Sequence, residues 1–175
     1  MEKETLQRLT MIVDTREKPK AIIRILNYFA QIGARVIRSK MYVGDYQLMS
    51  NPYVVIDRKQ NLSELCNNVV QEHRRFTDEL KRAEEVGISV VVLVEHGGGI
   101  HSIEDVRNWV NPRLKESPMA VSGDRLYKIL KAIEYSYHCK FDFCTKAQTG
   151  RRIVEILTDG AKRNGTGEEV QAGTH

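Results

Sequence analysis

The chain has 175 residues, which is enough for one domain with a substantial core and too few for two domains of ordinary size. Its 41% hydrophobic and 29% charged residues are typical of a soluble protein, and no apolar run approaches the ~20 residues that span a bilayer. The net charge of +4 permits a polyanionic partner without requiring one.

The first third of the chain alternates between strand and helix patterns. Residues 10–13 form a short apolar run, typical of a buried strand, and residues 21–32 repeat apolar side chains at helical spacing up to Gly33. Residues 35–43 alternate well enough to predict a strand. A β-hairpin follows, and Ser50, Asn51 and Pro52 are predicted to form its turn.

The remainder of the chain continues this alternation. An apolar stripe that starts at Leu62 predicts one long helix, which Gly87 ends. The almost purely β-branched run 88–94 predicts a central strand covered on both faces. The later predicted elements are a short helix at 103–110, a helix at 126–137, a strand at 139–143 and a helix at 151–157.

Together these elements predict an α/β fold with a mixed β-sheet, in which a central hairpin is flanked by helices. The predicted domain covers residues 1–158. Residues 159–175 lack periodicity and are rich in Gly, Asn, Thr and Glu, so we expect a disordered C-terminal tail.

The three cysteines, in a chain without a signal-peptide pattern, favour a reducing cytoplasm over a disulfide framework. Cys139 and Cys144 are separated by an odd number of residues in a predicted strand. Their thiols would therefore lie on opposite faces, which argues against a zinc site.

Charged residues in the predicted hairpin are unusual, because strand cores seldom carry charge without a partner or a task. A turn centred on Asn51 would place Asp45 directly opposite Asp57 on one face of the sheet, since each lies six residues from the centre. Lys59 would project from that same face.

The Cβ atoms of opposed residues in an antiparallel pair lie roughly 5 Å apart. Two carboxylates at that distance repel unless a cation or a proton lies between them. Mg²⁺ prefers a few carboxylate oxygens together with water and substrate phosphate, so the group favours metal-assisted phosphodiester hydrolysis. Lys59 would help to activate water or neutralise charge on a phosphate. The alternative is a solvated edge hairpin in which Asp57 pairs with Lys59 or Arg58.

The chain contains three linked motifs: VDTREKP at 13–19, GDY at 44–46 and IDRKQNLSEL at 56–65. In order and spacing they resemble the XPF-type structure-specific endonuclease domain, which has the restriction-endonuclease-like fold. The resemblance covers residues 9–157 and is strongest to stand-alone phage and bacterial forms. It therefore implies a cytoplasmic protein, in the host cytoplasm if the chain is phage-encoded. The expected partners are DNA and either a second copy of the chain or another protein, with no membrane.

The resemblance implies that Asp45 and Asp57 bind Mg²⁺ or Mn²⁺, with the carbonyl of Arg58 as a third ligand, and that Lys59 is the catalytic lysine. The remaining catalytic candidates would line the same cleft: Asp14, Arg16 and Glu17.

Two positions depart from the family pattern. Asp57 replaces the signature Glu, and Ser63 replaces the final signature Asp, with Glu64 beside it. Asn61 and Glu64 are also spaced as the capping residues of the following helix.

Further candidates lie outside the motifs. Arg151 and Arg152, in the first turn of the last helix, could contact DNA phosphates, and so could Arg74 and Arg75. For both pairs, an exposed charged surface without a ligand is the alternative. Gln71 could support the site or be an ordinary surface residue, while Tyr46 could stack on a base or pack beneath the site.

The leading hypothesis is a metal-dependent endonuclease for branched, forked or flapped DNA. A catalytically weak or inactive DNA-binding or scaffolding module is the main alternative, which Ser63 favours. A junction resolvase or DNA-end nuclease of the same fold is the third. Residues 126–137 and 151–157 are the predicted dimer interface.

Overall fold

The computed structural model describes residues 9–165, with side chains described as far as Asp159. Strands and helices alternate along the chain, and two short 3₁₀ helices, Glu104–Asn108 and Pro112–Lys115, precede α4. The elements are β1 (Thr10–Asp14), α1 (Ile23–Gln31), β2 (Arg35–Ser39), β3 (Tyr46–Leu48), β4 (Asn51–Lys59), α2 (Leu62–Val70), α3 (His73–Glu85), β5 (Ser89–Glu95), α4 (Gly123–Ser136), β6 (Cys139–Cys144) and α5 (Thr149–Gly165).

The strands form one six-stranded mixed sheet in the order β2-β1-β3-β4-β5-β6. The β3–β4 hairpin is antiparallel and lies at the centre, whereas β1–β2, β4–β5 and β5–β6 are parallel pairs. The predicted α/β fold with a central hairpin is therefore confirmed. Because β4, β5 and β6 run in parallel, their carboxyl ends meet at one edge of the sheet.

Each face of the sheet is covered by its own hydrophobic core. On the α2 face, the sheet packs against α2, α3 and α4, through residues such as Leu65, Leu80 and Leu130. On the α1 face, it packs against α1 and α5, through residues such as Phe29 and Ile153. Side chains alternate along β4, so Val55 belongs to the α2 face and Ile56 to the α1 face.

The hairpin has the predicted register but a different turn. Tyr46 pairs with Ile56, as expected from a turn centred on Asn51. However, the turn residues are Met49 and Ser50, and Leu48 pairs with Asn51. A β-bulge between Gln47 and Leu48 shifts the register and accommodates the extra residues of β4, so the prediction of a Ser50-Asn51-Pro52 turn was wrong.

The predicted long helix is two helices, α2 and α3, which are separated at Gln71 and Glu72. The backbone N–H of Glu72 donates to the carbonyl of Asn67 at 3.0 Å, so the helical turn is widened by one residue. The side chain of Asn68 donates to the Glu72 carboxylate at 3.2 Å. Such local side-chain bonds compete with the regular helix ladder, which explains the break.

Two other predicted boundaries also change. Strand β2 ends at Ser39, so residues 40–43 lie outside it. Helix α5 continues to Gly165, seven residues into the segment predicted as a disordered tail, while residues 166–175 lie outside the described residues. None of the helices between residues 9 and 165 has the length and apolar character needed to cross a membrane.

Candidate metal-dependent active site

Asp45 is held rigidly at the start of the hairpin. Its backbone N–H donates to the carbonyl of Ile56 at 2.7 Å, and its carbonyl accepts the N–H of Asp14 at 2.8 Å. Gly44 precedes it with φ of 73°, and a Cβ there would lie 3.0 Å from the Cβ of Val55. Only glycine fits this position without strain, which explains the Gly-Asp-Tyr element.

Asp57 and Lys59 lie at the carboxyl end of β4 and project from the α2 face, because each is an even number of residues from Val55. The Lys59 Nζ is 3.0 Å from Asp57 Oδ1, and both side chains are largely buried, at 13% and 15% exposed. Asp45 is close enough to both that the charge of Asp57 acts on its pKa and its own charge acts on the pKa of Lys59. The predicted group of two acids and one amine therefore exists as one cluster.

The charges in this cluster are not balanced. Burial, followed by the neighbouring charge of Asp57, raises the pKa of Asp45 well above its ordinary value, although the Arg58 N–H donates to its Oδ2 at 2.8 Å. Burial alone would lower the pKa of Lys59, but the charge and hydrogen bond of Asp57 outweigh it and raise this pKa. One ammonium is thus shared by two buried carboxylates.

Asp14 and Arg16 border the cluster from the end of β1. Burial opposes ionisation of Asp14, but the hydrogen bonds from the Arg16 side chain and the Met41 N–H outweigh it and lower its pKa. Arg16 is half-exposed, and Asp45 contributes to the raised pKa of its guanidinium. Both residues therefore lie near Asp45, and their catalytic role stays a prediction.

The Glu17 carboxylate and the Arg58 side chain pair with each other on the α1 face. Arg58 Nε and Nη2 contact the Glu17 carboxylate at 2.8 and 2.9 Å, and Nη1 contacts Glu95 Oε1 at 3.1 Å. The Glu17 carboxylate thus binds the Arg58 side chain, while its charge still helps to raise the pKa of Asp45, after burial and the charge of Asp57. That Glu17 lines the same cleft stays a prediction. Glu95 was missed, although a charge directly after the apolar run 88–94 was a usable signal.

Tyr46 packs beneath the site and cannot stack on a base. It is fully buried, its ring contacts Phe29 edge to face, and its hydroxyl donates to Glu17 Oε1 at 3.2 Å. Of the two roles considered, the supporting one is confirmed.

Glu64 caps α2. Its backbone N–H donates to Asn61 Oδ1 at 2.8 Å, and its own carboxylate accepts the Gln60 N–H at 2.7 Å. The predicted capping arrangement is confirmed. Glu64 also borders a cavity of about 210 Å³ that Lys59 and Arg75 line.

The other candidates are dispersed. Gln71 does not reach Lys59 but lines a separate cavity of about 460 Å³ with Ser63. Arg74 is 96% exposed and lies 4.0 Å from Asp78. Arg151 pairs with Glu155, and Arg152 pairs with both Glu155 and Asp142. Contact between these arginines and DNA stays a prediction.

The donor set suits a hard divalent cation. Within residues 9–165, no group of three or more His, Cys, Asp or Glu side chains is placed to hold a metal. Mg²⁺, however, needs only one or two carboxylates together with water and phosphate. Burial, and then the charge of Asp57, raise the pKa of Asp45, and a bound cation would offset that second effect. Asp45 and Asp57 would hold it, and the Arg58 carbonyl stays a predicted third ligand.

Comparison with known proteins agrees with this geometry. A model of the ERCC4 domain family matches residues 13–154. The XPF structure from Aeropyrum pernix is similar with a TM-score of 0.60 and 18% identity, over 89% of this chain and 67% of that one. The same protein in a complex with DNA gives a TM-score of 0.61 and 21% identity, over 89% and 66%. This chain thus spans about two thirds of those structures. No curated protein sequence matches it.

The family match extends from the end of β1 into α5. It includes Asp45, Asp57 and Lys59, which together are called the acid–lysine cluster below. The mixed six-stranded sheet flanked by helices agrees with the fold of the similar structures. The chain belongs to the ERCC4 domain family and has the fold of an XPF-type nuclease domain.

Proposed function

We propose that the chain is a Mg²⁺- or Mn²⁺-dependent endonuclease that hydrolyses phosphodiester bonds in branched, forked or flapped DNA. The observation that carries the proposal is the buried cluster of two carboxylates and one ammonium at the carboxyl end of β4. Family membership supports nuclease chemistry, and the similar structure from Aeropyrum pernix was determined in a complex with DNA.

In this mechanism a bound Mg²⁺ or Mn²⁺ would supply Lewis-acid chemistry to the scissile phosphate and to the attacking water. Asp45 and Asp57 would hold this metal. Lys59 keeps its proton beside Asp57, so it neutralises the negative charge that develops on the phosphate oxygens. Arg16 is exposed enough to contact the DNA backbone while Asp14 fixes its guanidinium.

A cleavage panel tests this function. Wild type, Asp57→Ala and the surface control Asp78→Ala are compared on a labelled fork, a flap, a four-way junction and a linear duplex with Mg²⁺ or Mn²⁺. We expect wild type and Asp78→Ala to cut the fork or flap and Asp57→Ala to be inactive. Equal cutting by wild type and Asp57→Ala would show that the assigned site is wrong. Preference for the four-way junction would favour a resolvase, and cutting of the duplex ends would favour an end nuclease.

A non-catalytic DNA-binding module is the second candidate, because Ser63 stands where the family pattern has an acid. Metal titration separates the two. An active site of the proposed kind should raise the melting temperature when Mg²⁺ or Mn²⁺ is added to wild type, but not to Asp57→Ala. A binder would retain affinity for DNA and show neither cleavage nor stabilisation by metal.

A homodimer, formed through α4 and α5, is part of the proposal. On α4, Tyr135 is 94% exposed, and burial of such a ring on association would remove apolar surface from water. Sedimentation of wild type and Tyr135→Lys measures this, with a dimer expected only for wild type.

The predicted cytoplasmic location and phage relationship also belong to the proposal. Cys66, Cys139 and Cys144 support a reducing compartment, because all three are free and buried.

A further inference from the structure

A second charged cavity opens on the opposite face of the sheet from the acid–lysine cluster. It has a volume of about 250 Å³ and lies between the β1–α1 loop, the start of α1, the end of β5 and the turn before α5. Three cationic side chains line it: Lys20, Arg24 and Lys146. All three are exposed, and within the described part of the chain none has an ion pair.

The start of α1 adds to this positive potential. The helix is nine residues long, its N-cap Ile22 provides no side-chain hydrogen bond, and its first turn contains no acidic residue. Uncapped N–H groups and the positive end of the helix dipole favour an anion at such a place. Ile23 and Ile25 line the cavity beside Arg24, so this helix end forms part of its wall.

A residue in the wall of the cavity carries an unsatisfied acceptor. Glu95 lines it, its side chain is only 3% exposed, and Oε1 is occupied by Arg58 at 3.1 Å. Its other oxygen, Oε2, is buried without a hydrogen-bond partner among the described residues. A buried carboxylate oxygen that lacks a donor is costly, so a ligand that donates a hydrogen bond there would be favoured.

The ligand must therefore carry an anion at one end and an N–H or O–H donor at the other. A nucleotide of DNA has this chemistry, because its phosphate suits the three cations and its base offers N–H groups to Glu95. In a duplex, the Watson–Crick N–H groups are already paired. Only an unpaired base can donate them to a protein acceptor. The small volume also admits part of a nucleotide rather than a duplex.

The cavity lies close to the cluster that we propose as the active site. Lys59 pairs across the sheet with Val94, the residue before Glu95. Arg58 contacts Glu95 through its side chain and donates its backbone N–H to Asp45. The two sites thus occupy the two faces of one sheet edge, and a DNA strand that crosses this edge would reach both.

We propose that this cavity binds one unpaired nucleotide of the DNA substrate, with the phosphate at Lys20, Arg24 and Lys146 and a base N–H on Glu95 Oε2. The inference rests on the proposed function and deepens it. It gives a physical reason for a preference for forks and flaps, since these contain unpaired nucleotides beside a duplex.

The test measures binding to a fluorescent fork by anisotropy, with Ca²⁺ in place of Mg²⁺. A single abasic nucleotide is placed at successive positions along the unpaired arm. For wild type we expect a loss of affinity of about tenfold at one position, because one hydrogen bond to a charged acceptor is lost there. We expect little change at the other positions.

Arg24→Ala tests the phosphate end of the cavity, and Arg35→Ala is its matched control. Both arginines are exposed, but Arg35 begins β2, at the opposite end of the parallel pair β1–β2. We expect Arg24→Ala to weaken binding to the intact fork about fivefold more than Arg35→Ala does. In Arg24→Ala, the abasic nucleotide should also cause a smaller loss of affinity than it causes in wild type. Thermal unfolding checks that both variants fold.

The inference is overturned if no position of the arm is sensitive to base removal, or if Arg24→Ala and Arg35→Ala bind the fork equally. Cleavage of the fork by wild type with Mg²⁺ is measured in parallel. If wild type cleaves the fork but the two variants bind it equally, nucleotide binding in the cavity is refuted and the proposed nuclease function still stands. If affinity depends on the abasic position but no cleavage occurs, the nuclease function is refuted and nucleotide binding in the cavity still stands.

Discussion

Replacement of Asp45 by Asn should stabilise the metal-free protein at neutral pH while it abolishes cleavage. The raised pKa shows that the folded state resists ionisation of this carboxyl, through burial and then through the charge of Asp57. Asparagine removes the charge and retains an oxygen that can accept the Arg58 N–H, which donates to Asp45 at 2.8 Å.

The expected magnitude follows from the repulsion between the two acids. Opposed side chains in an antiparallel pair lie roughly 5 Å apart, and two unit charges at that distance repel by about 3 kcal/mol at an effective dielectric constant of about 20. Lys59, 3.0 Å from Asp57, offsets part of this repulsion. We expect a net gain of about 1–2 kcal/mol, which corresponds to a rise in melting temperature of about 2–8 °C for a domain of this size.

The dependence on pH provides the sharper test. A carboxyl with a raised folded-state pKa binds more protons in the folded state than in the unfolded state, so wild type loses stability as pH rises from the ordinary Asp pKa towards the folded value. The advantage of Asp45→Asn should therefore be smallest in acid and should grow with pH. Calorimetry in chelator between pH 4.5 and 8, with Asp78→Asn as surface control, measures it. A variant that is less stable at pH 7, or an advantage independent of pH, would refute the reasoning.

Three further predictions concern the same region. Lys59→Ala should lower the cleavage rate by about 10²–10⁴-fold while Mg²⁺ still raises the melting temperature, and near-normal cleavage kinetics would exclude a catalytic role. Arg58→Met should cost about 3–5 kcal/mol in urea unfolding, because it leaves Glu17 and Glu95 buried without their partner; a loss below about 1 kcal/mol would contradict this. Gly44→Ala should cost about 1–3 kcal/mol more than Gly87→Ala, since both glycines have φ of 73° but only Gly44 meets a neighbour at 3.0 Å, so equal losses would disprove the steric argument.

Much of the fold and of the cluster could be predicted because the signals are local. Alternation along β4 puts Asp57 and Lys59 on one face whatever surrounds the strand. The register that pairs Tyr46 with Ile56 lies outside the β-bulge at Gln47 and Leu48. A slip of one residue would move every side chain of β4 into the core on the other face, where it does not fit. The cap formed by Asn61 and Glu64 needs only a spacing of three residues.

The break between α2 and α3 carried no clear signal, since neither Gly nor Pro occurs there and the apolar stripe continues. Asn68 and Glu72 compete with the helix ladder through a side-chain bond whose formation depends on the packed position of both helices.

The sequence by itself determined the order of the elements, the central hairpin and the placement of Asp57 and Lys59 on one face, because hydrophobic periodicity acts over a few residues. Only the tertiary structure decided which distant charges meet. Arg58 joins Glu17 and Glu95 across separations of 41 and 37 residues, and the cavity on the α1 face brings Lys20 and Lys146 to Glu95. The physical reason is that charges far apart in the chain are brought together by the packing of parallel strands at a shared edge, and no local pattern specifies that packing.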